Sequence, residues 1–236
     1  MKTLQEFEKW FQKAQKTEDE HFEFVWELMK SPYVEYHYSL MTDKKINDDF
    51  RRDLWARFDE HRENAAALLF SKLDNNEDID FHPRIIFCLG KIADSQKIEK
   101  ERTLAYARKF ANADNDRLRE QAIIVLGWIG GVKEMPLLGE HLLNDTCAKC
   151  RTWSATSFMQ MYSRRKSKSL VERALPYLKQ AISQESDWFA LGCMIKVIKE
   201  LTGKNFGLPQ YAIDNIDEEK ILAAKAKAER YFNKLQ

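Results

Sequence analysis

Turn-forming residues are scarce in this chain. It carries 8 glycines and 5 prolines among 236 residues, and neither type occurs between Val34 and His82. A fold of many short strands needs tight turns, so this scarcity excludes a sheet-rich architecture and suits long helices. No run of about 18 apolar residues occurs, which excludes a membrane-spanning helix. The start, Met1-Lys-Thr-Leu-Gln-Glu-Phe-Glu-Lys-Trp10, places acids where a secretion signal needs its apolar stretch, so the expected location is cytoplasmic. The 4 cysteines, three of them within apolar-periodic helices or at their starts, fit reduced thiols better than a disulfide framework. Net charge is missing as well. With 38 Lys+Arg against 37 Asp+Glu, no global field recruits nucleic acid or a membrane surface. The balance is uneven along the chain: residues 1–118 hold 20 basic and 24 acidic side chains (net −4), and residues 119–236 hold 18 and 13 (net +5).

Signatures of chemistry are lacking too. There is no GxSxG, HExxH or dinucleotide fingerprint, and the 5 histidines are scattered. Gly203-Lys204 is not a phosphate loop, because Ile198 stands where the first glycine belongs and Asn205 follows the lysine. Asp74-Asn-Asn-Glu-Asp-Ile-Asp80 opens like a calcium loop but has Ile79 at the sharp turn and Ile85 in place of the bidentate glutamate. Cys147-Ala-Lys-Cys150 offers two of the four ligands zinc needs. A thioredoxin-like reading requires a preceding strand that is not visible, although a helix start at Cys147 would favour its thiolate. Cys88 and Cys193 share the internal register of Val125, which marks them as packing positions. Incidental thiols are therefore the expectation, with redox sensitivity and metal binding as alternatives. The chain is expected to be no enzyme, with no cofactor and no metal.

What the chain does have is a recurring motif. Ile85-Ile-Phe-Cys-Leu-Gly-Lys-Ile-Ala93 is echoed by Ala122-Ile-Ile-Val-Leu-Gly-Trp-Ile-Gly130, with weaker copies at Ser154-Ala-Thr-Ser-Phe158 and Ala190-Leu-Gly-Cys-Met194. The anchors Ile85, Ala122, Ser154 and Ala190 are 37, 32 and 36 residues apart, a period typical of stacked helical repeats. The helix pairs read as Glu63–Leu73 with Pro83–Ala93, Glu99–Asn112 with Asp116–Ile129, Pro136–Leu143 with Cys147–Tyr162, and Leu170–Ser183 with Ser186–Leu201. Residues 1–60 hold 12 of the 28 aromatic residues and do not match the repeat, which suits a helical cap. There, Leu4, Phe7, Phe11 and Ala14 share one helical stripe, Phe22, Val25 (or Trp26) and Met29 a second, and Ile46, Phe50, Leu54 and Phe58 a third behind the capping candidates Asn47 and Asp48. Val34-Glu-Tyr-His-Tyr-Ser-Leu40 alternates like a strand, and with no partner strand in sight it reads as a loop or irregular helix. A final amphipathic helix, Glu218–Leu235, closes the far end. One domain over 1–236 is expected, with the cap at 1–60, repeats at 61–208 and a capping segment at 209–236.

Asp116-x-x-Arg119-x-x-Ala122-x-x-x-Leu126-Gly-x-Ile-Gly130 resembles the second helix of a HEAT repeat, and the resemblance extends over about 82–208. It implies an all-α superhelix (α-α solenoid) of about four HEAT-like helix pairs that serves as a protein-binding scaffold. In such arrays the second helices line the concave face. Aligned there are Arg84, Gln121, Trp153 and Phe189, and seven residues later Lys91, Trp128, Gln160 and Lys196. This stripe is the expected contact surface for another protein, since Trp and Arg often dominate binding energy; packing between repeats is the competing use. Ser163-Arg-Arg-Lys-Ser-Lys168 is the densest basic run, and Arg164, Arg165, Lys166 and Lys168 could meet an anionic partner. The expected function is a non-catalytic adaptor or inhibitor, the immunity type included. The alternative is a nucleic-acid-binding or DNA-processing protein, as a minority of the resembling family are.

Overall fold

The computed structural model describes residues 2–234 and is all-α: among the described residues only helices form regular structure. Contacts group the chain into two compact units, residues 1–103 and 104–236. The boundary falls inside one helix, α7 (Lys100–Ala111) in chain order.

The first unit starts with α1 (Leu4–Ala14), α2 (Glu18–Leu28), α3 (Val34–Thr42) and α4 (Asp48–Arg57), followed by α5 (Glu63–Asp74) and α6 (His82–Ser95). Local chemistry sets the helix starts. Thr3 and Glu6 form a reciprocal capping box on α1. Asn47 caps α4 through the Asp49 and Phe50 amides at 2.8 and 3.4 Å. α1 packs on α2, α2 on α4, α3 on α4 and α5, and α5 on α6. The aromatic enrichment turns mostly inward. Phe7, Phe24 and Phe50 are buried, with Phe24 edge-on to both others at ring separations of 6.0 and 5.9 Å.

Two expectations are corrected here. Val34–Thr42 is a regular helix, burying Val34, His37, Tyr38, Leu40 and Met41. Its apparent alternation comes from tyrosines and a histidine that all find interior or groove positions. On α2 the inner face is Phe24, Val25 and Leu28, while Phe22 (62% exposed) and Trp26 (40%) stack on each other outside. Phe22 and Trp26 are one turn apart and share a face, so placing them in the core stripe would have rotated the helix away from Phe24.

His37 is fully buried. Its Nε2 lies 3.0 Å from the Leu54 carbonyl and its Nδ1 2.9 Å from His61 Nε2. Burial, reinforced by the neighbouring His61, pushes His37 down from 6.5 to about 3, and burial lowers His61 as well.

The second unit holds α8 (Asp116–Ile129), α9 (Met135–Asn144), α10 (Ala148–Arg165), α11 (Lys168–Gln184), α12 (Trp188–Thr202), the short α13 (Gln210–Asp214) and α14 (Glu218–Asn233). Leu235, expected at the end of the last helix, lies outside the described residues. The expected second to fourth pairs correspond to α7/α8, α9/α10 and α11/α12, with α8 as expected and the other ends moved by one to three residues. Second helices stack on each other in sequence, α8 on α10 and α10 on α12, while α9 packs on α10 and α11. Contacts between α8 and α10 recur at a separation near one repeat: Cys150 Sγ to the Asp116 carbonyl at 3.6 Å and Ser157 Oγ to the Ile123 carbonyl at 3.1 Å. Both join residues 34 apart, so the helices run parallel and in register.

The Leu-Gly pair of the motif explains itself in this packing. A Cβ on Gly127 would sit 2.5 Å from Ser157 Oγ and 2.2 Å from Gln160 Oε1, so only glycine admits α10 this closely. Gly127→Ala is expected to destabilise the protein by about 1–3 kcal/mol through overpacking, read as a lower urea midpoint at unchanged slope. An unchanged midpoint would show that α10 can move aside at no cost. For the first unit, the sign of the His37 shift fixes the pH response. A depressed folded value means that the neutral pair contributes stability fully above about 6.5, and that this is lost as pH falls towards 3. The melting temperature should therefore fall below pH 6.5, and fall less steeply in His37→Gln; equal slopes in the two proteins would contradict the assignment.

Candidate functional site

The turns of the second unit are organised by a pair of arginines. Arg119 and Arg151 each sit three residues before a motif anchor, in the first turn of α8 and α10. Each reaches back over its own helix start: Arg119 Nη1 donates to the Ala113 and Asp114 carbonyls at 2.8 and 2.9 Å, and Arg151 Nη1 to the Asp145 and Thr146 carbonyls at 2.9 and 3.2 Å. The other edge of each guanidinium holds a carboxylate from the next turn. Arg119 Nε and Nη2 donate to Asp145 at 3.2 and 3.0 Å, and Arg151 Nε and Nη2 donate to Glu185, both at 2.7 Å. Both carboxylates have side chains only 2% exposed. Burial alone would raise them. The guanidiniums instead hold both below the usual carboxylate value, helped at Asp145 by the Cys147 amide and His141, and at Glu185 by the Ser186 and Asp187 amides.

With the turns fixed, the expected contact stripe can be followed across α8, α10 and α12. Gln121 and Trp128 are half-buried on α8. Trp153, half-buried on α10, donates its Nε1–H to Glu120 Oε1 at 3.1 Å, which fixes the indole against α8. Phe189, in the first turn of α12, is 43% exposed. Lys196 is exposed and reaches Gln210 Oε1 at 2.5 Å. Gln160 differs. Its Oε1 is buried without a hydrogen-bond partner among the described residues, so it serves the α8–α10 seam.

In the first unit, Arg84 is half-buried on α6. Lys91 is tied to its own unit, donating to Asp59 Oδ1 at 2.7 Å and to the Ala56 carbonyl at 3.0 Å. The basic run is likewise largely engaged by its own chain. Arg164 donates to the Gly127 and Gly130 carbonyls at 2.6 and 2.9 Å, closing the C-terminal end of α8. Lys166 is the left-handed residue after α10 and lies over the Tyr162 ring at 4.7 Å. Lys168 pairs with Glu172 at 3.6 Å, and Arg165 is exposed.

The four cysteines are free thiols. Among the described residues no group of three or more His, Cys, Asp or Glu side chains could hold a metal ion. No helix among them is long and apolar enough to cross a membrane. The arginine–carboxylate pairs escaped the sequence reading although a signal was present: arginine recurs at the same place in two repeats, and an acid closes each following turn.

Comparison with known proteins agrees with this geometry. Residues 66–159 match the family model for HEAT repeats. The match runs from within α5 to within α10 and marks that stretch as similar to HEAT repeats. HEAT repeats commonly serve as protein-interaction scaffolds. No curated protein and no solved structure matches the chain.

Arg151→Ala would leave Glu185 buried without its cation and two turn carbonyls without their donor. Removing one partner of such a pair costs about 3–5 kcal/mol, so chemical unfolding should show a loss of that order. Arg151→Ala combined with Glu185→Ala should recover part of it. A loss under about 1 kcal/mol, the surface-pair range, would mean the pair is only peripheral.

Proposed function

We propose that the chain is a non-catalytic protein-binding scaffold, an adaptor or an inhibitor, that docks its partner on the α8–α10–α12 face of the second unit. The observation that carries this reading is the run of Trp128, Trp153 and Phe189 on parallel, consecutively stacked helices. The indole of Trp153 is fixed by Glu120, and Phe189 leaves 43% of its surface exposed beside it. Aromatic side chains held on rigid helices lose little conformational freedom when a partner covers them, which is what makes such residues anchors. Gln121 and Lys196 supply polar contacts around them. Arg164 and Gln160 are engaged at the α8–α10 seam and Lys91 within the first unit, so none of the three is assigned to the partner. Within the basic run, Arg164 is occupied by helix-end carbonyls and is not available to an anionic partner.

The test is affinity purification of the tagged protein from nuclease-treated lysate, followed by measurement of the purified complex. Trp153→Ala and Phe189→Ala should each weaken binding by about 30-fold, the 2 kcal/mol scale of an anchor residue. Trp128→Ala should weaken it as well, and helicity and melting should stay close to wild type in all three. Partner binding unaffected by all three changes would remove this face from the proposal. Nucleic acid co-purifying in place of protein, with steeply salt-dependent affinity, would replace the proposal altogether.

A further inference from the structure

The Cys147-Ala-Lys-Cys150 motif takes no part in the docking face, yet its two sulfurs are placed together. Cys147 is the residue that opens α10 (φ −84°, ψ 115°), and Cys150 lies one turn on in the same helix. Cα atoms three residues apart in a helix are about 5 Å apart, inside the range of about 4.4–6.8 Å that a disulfide spans. Cys147 is also among the groups that push the Cys150 thiol up.

Their surroundings differ in a way that assigns different roles. Cys147 is half-buried and reachable from solvent, and its amide is held by Asp145 Oδ1 at 2.9 Å. No side chain caps α10, so the Cys147 thiol is not engaged at the helix start. Exposed Lys149 adds a nearby positive charge. Cys150 is fully buried, and its Sγ lies 3.6 Å from the Asp116 carbonyl. Burial, with Asp145 and Cys147 close by, pushes its thiol up, so a thiolate there is costly while a neutral disulfide is not. The other two cysteines lack such a neighbour. Cys88 has Asp59 and Lys91 beside it, and Cys193 has Lys196, Asp214 and Asp187.

We propose that Cys147 and Cys150 form a reversible dithiol–disulfide site whose co-substrate is a small disulfide such as oxidised glutathione, with Cys147 the attacking and Cys150 the resolving sulfur. The Cys147 thiolate attacks one sulfur of the glutathione disulfide, forming a mixed disulfide and releasing the first glutathione. The Cys150 sulfur then attacks Cys147 Sγ, breaking the mixed disulfide and releasing the second glutathione. The two protein thiols give up two electrons and two protons, and both glutathione sulfurs leave as thiols. The site acts as a modification point at the start of α10 and is independent of the docking assignment.

Trypsin cuts after Lys149, between the two cysteines, and so provides a direct readout on the unaltered protein. Reduced full-length protein is incubated with oxidised glutathione and analysed by mass spectrometry, intact and after non-reducing digestion. The expected product is lighter by two hydrogen atoms, retains no glutathione, and yields the Cys147 and Cys150 peptides joined until a reductant is added, with Cys88 and Cys193 still free. Cys150→Ser should trap one glutathione on Cys147, and Cys147→Ser should trap none at Cys150. Free thiols throughout, or glutathione left on Cys147 of the wild-type protein, would overturn the proposal. Because the wild-type mapping is decisive alone, misfolding of either variant leaves the test intact.

Discussion

The second unit depends on guanidiniums laid across the mouths of its turns. An isolated carboxylate as buried as Asp145 or Glu185 would be far too costly to keep ionised, and an arginine stretched over a helix start would gain little in water. Together, each arginine satisfies two backbone carbonyls of its own turn and two carboxylate oxygens of the next. The carboxylates in turn accept amides at the helix starts they precede, Cys147 for Asp145 and Ser186 and Asp187 for Glu185. One repeat is therefore positioned by the next through hydrogen bonds whose geometry tolerates little shift. Hydrophobic burial supplies most of the stability of such helices, but it is non-directional. The direction of stacking is set where Arg119 and Arg151 meet their acids.

This constraint fixes the faces of α8, α10 and α12 as well. With the helix starts tied together, Gly127 decides how closely α10 approaches, and Ser157 can then donate to the Ile123 carbonyl. Arg164 closes the same seam at its far end by satisfying the Gly127 and Gly130 carbonyls. What remains outside the seam is the row that includes Trp128, Trp153 and Phe189. A binding surface built on rigid helices in this way is preorganised, so little ordering entropy is lost when a partner arrives.

Much of this was legible in the sequence. The recurrence of Leu-Gly and of the small anchors located the repeat helices to within a few residues, because a period near 34 and the helical period both leave strong traces in apolar residues. The side-chain environment was less legible. Lys91 falls on the expected contact stripe by register and Arg164 in the basic run expected to meet an anionic partner, yet both are drawn to backbone carbonyls, Ala56 for one and Gly127 and Gly130 for the other. No periodicity reports where the unsatisfied carbonyls at a helix end point. Phe22 and Trp26 failed for the opposite reason. Hydrophobicity put them in the core stripe of α2, but Phe24, beside them in sequence, meets both Phe7 and Phe50 and cannot do so unless the helix turns Phe22 and Trp26 outward.

The same reasoning bears on why Cys147 and Cys150 lie one turn apart at a helix start. Cys147 opens α10 at the position whose amide Asp145 needs, and Cys150 occupies the buried place against the Asp116 carbonyl where α8 and α10 touch. Either position could be filled by another small residue on packing grounds. A serine at residue 147 could also cap the helix, a role in which cysteine is weaker. Here the helix start carries no side-chain cap, and a second cysteine follows one turn on. The ladder that orders the repeats thereby holds two cysteines one turn apart, one reachable and one enclosed. Exchange chemistry needs that asymmetry, with an accessible sulfur to receive the oxidant and a protected one to displace it.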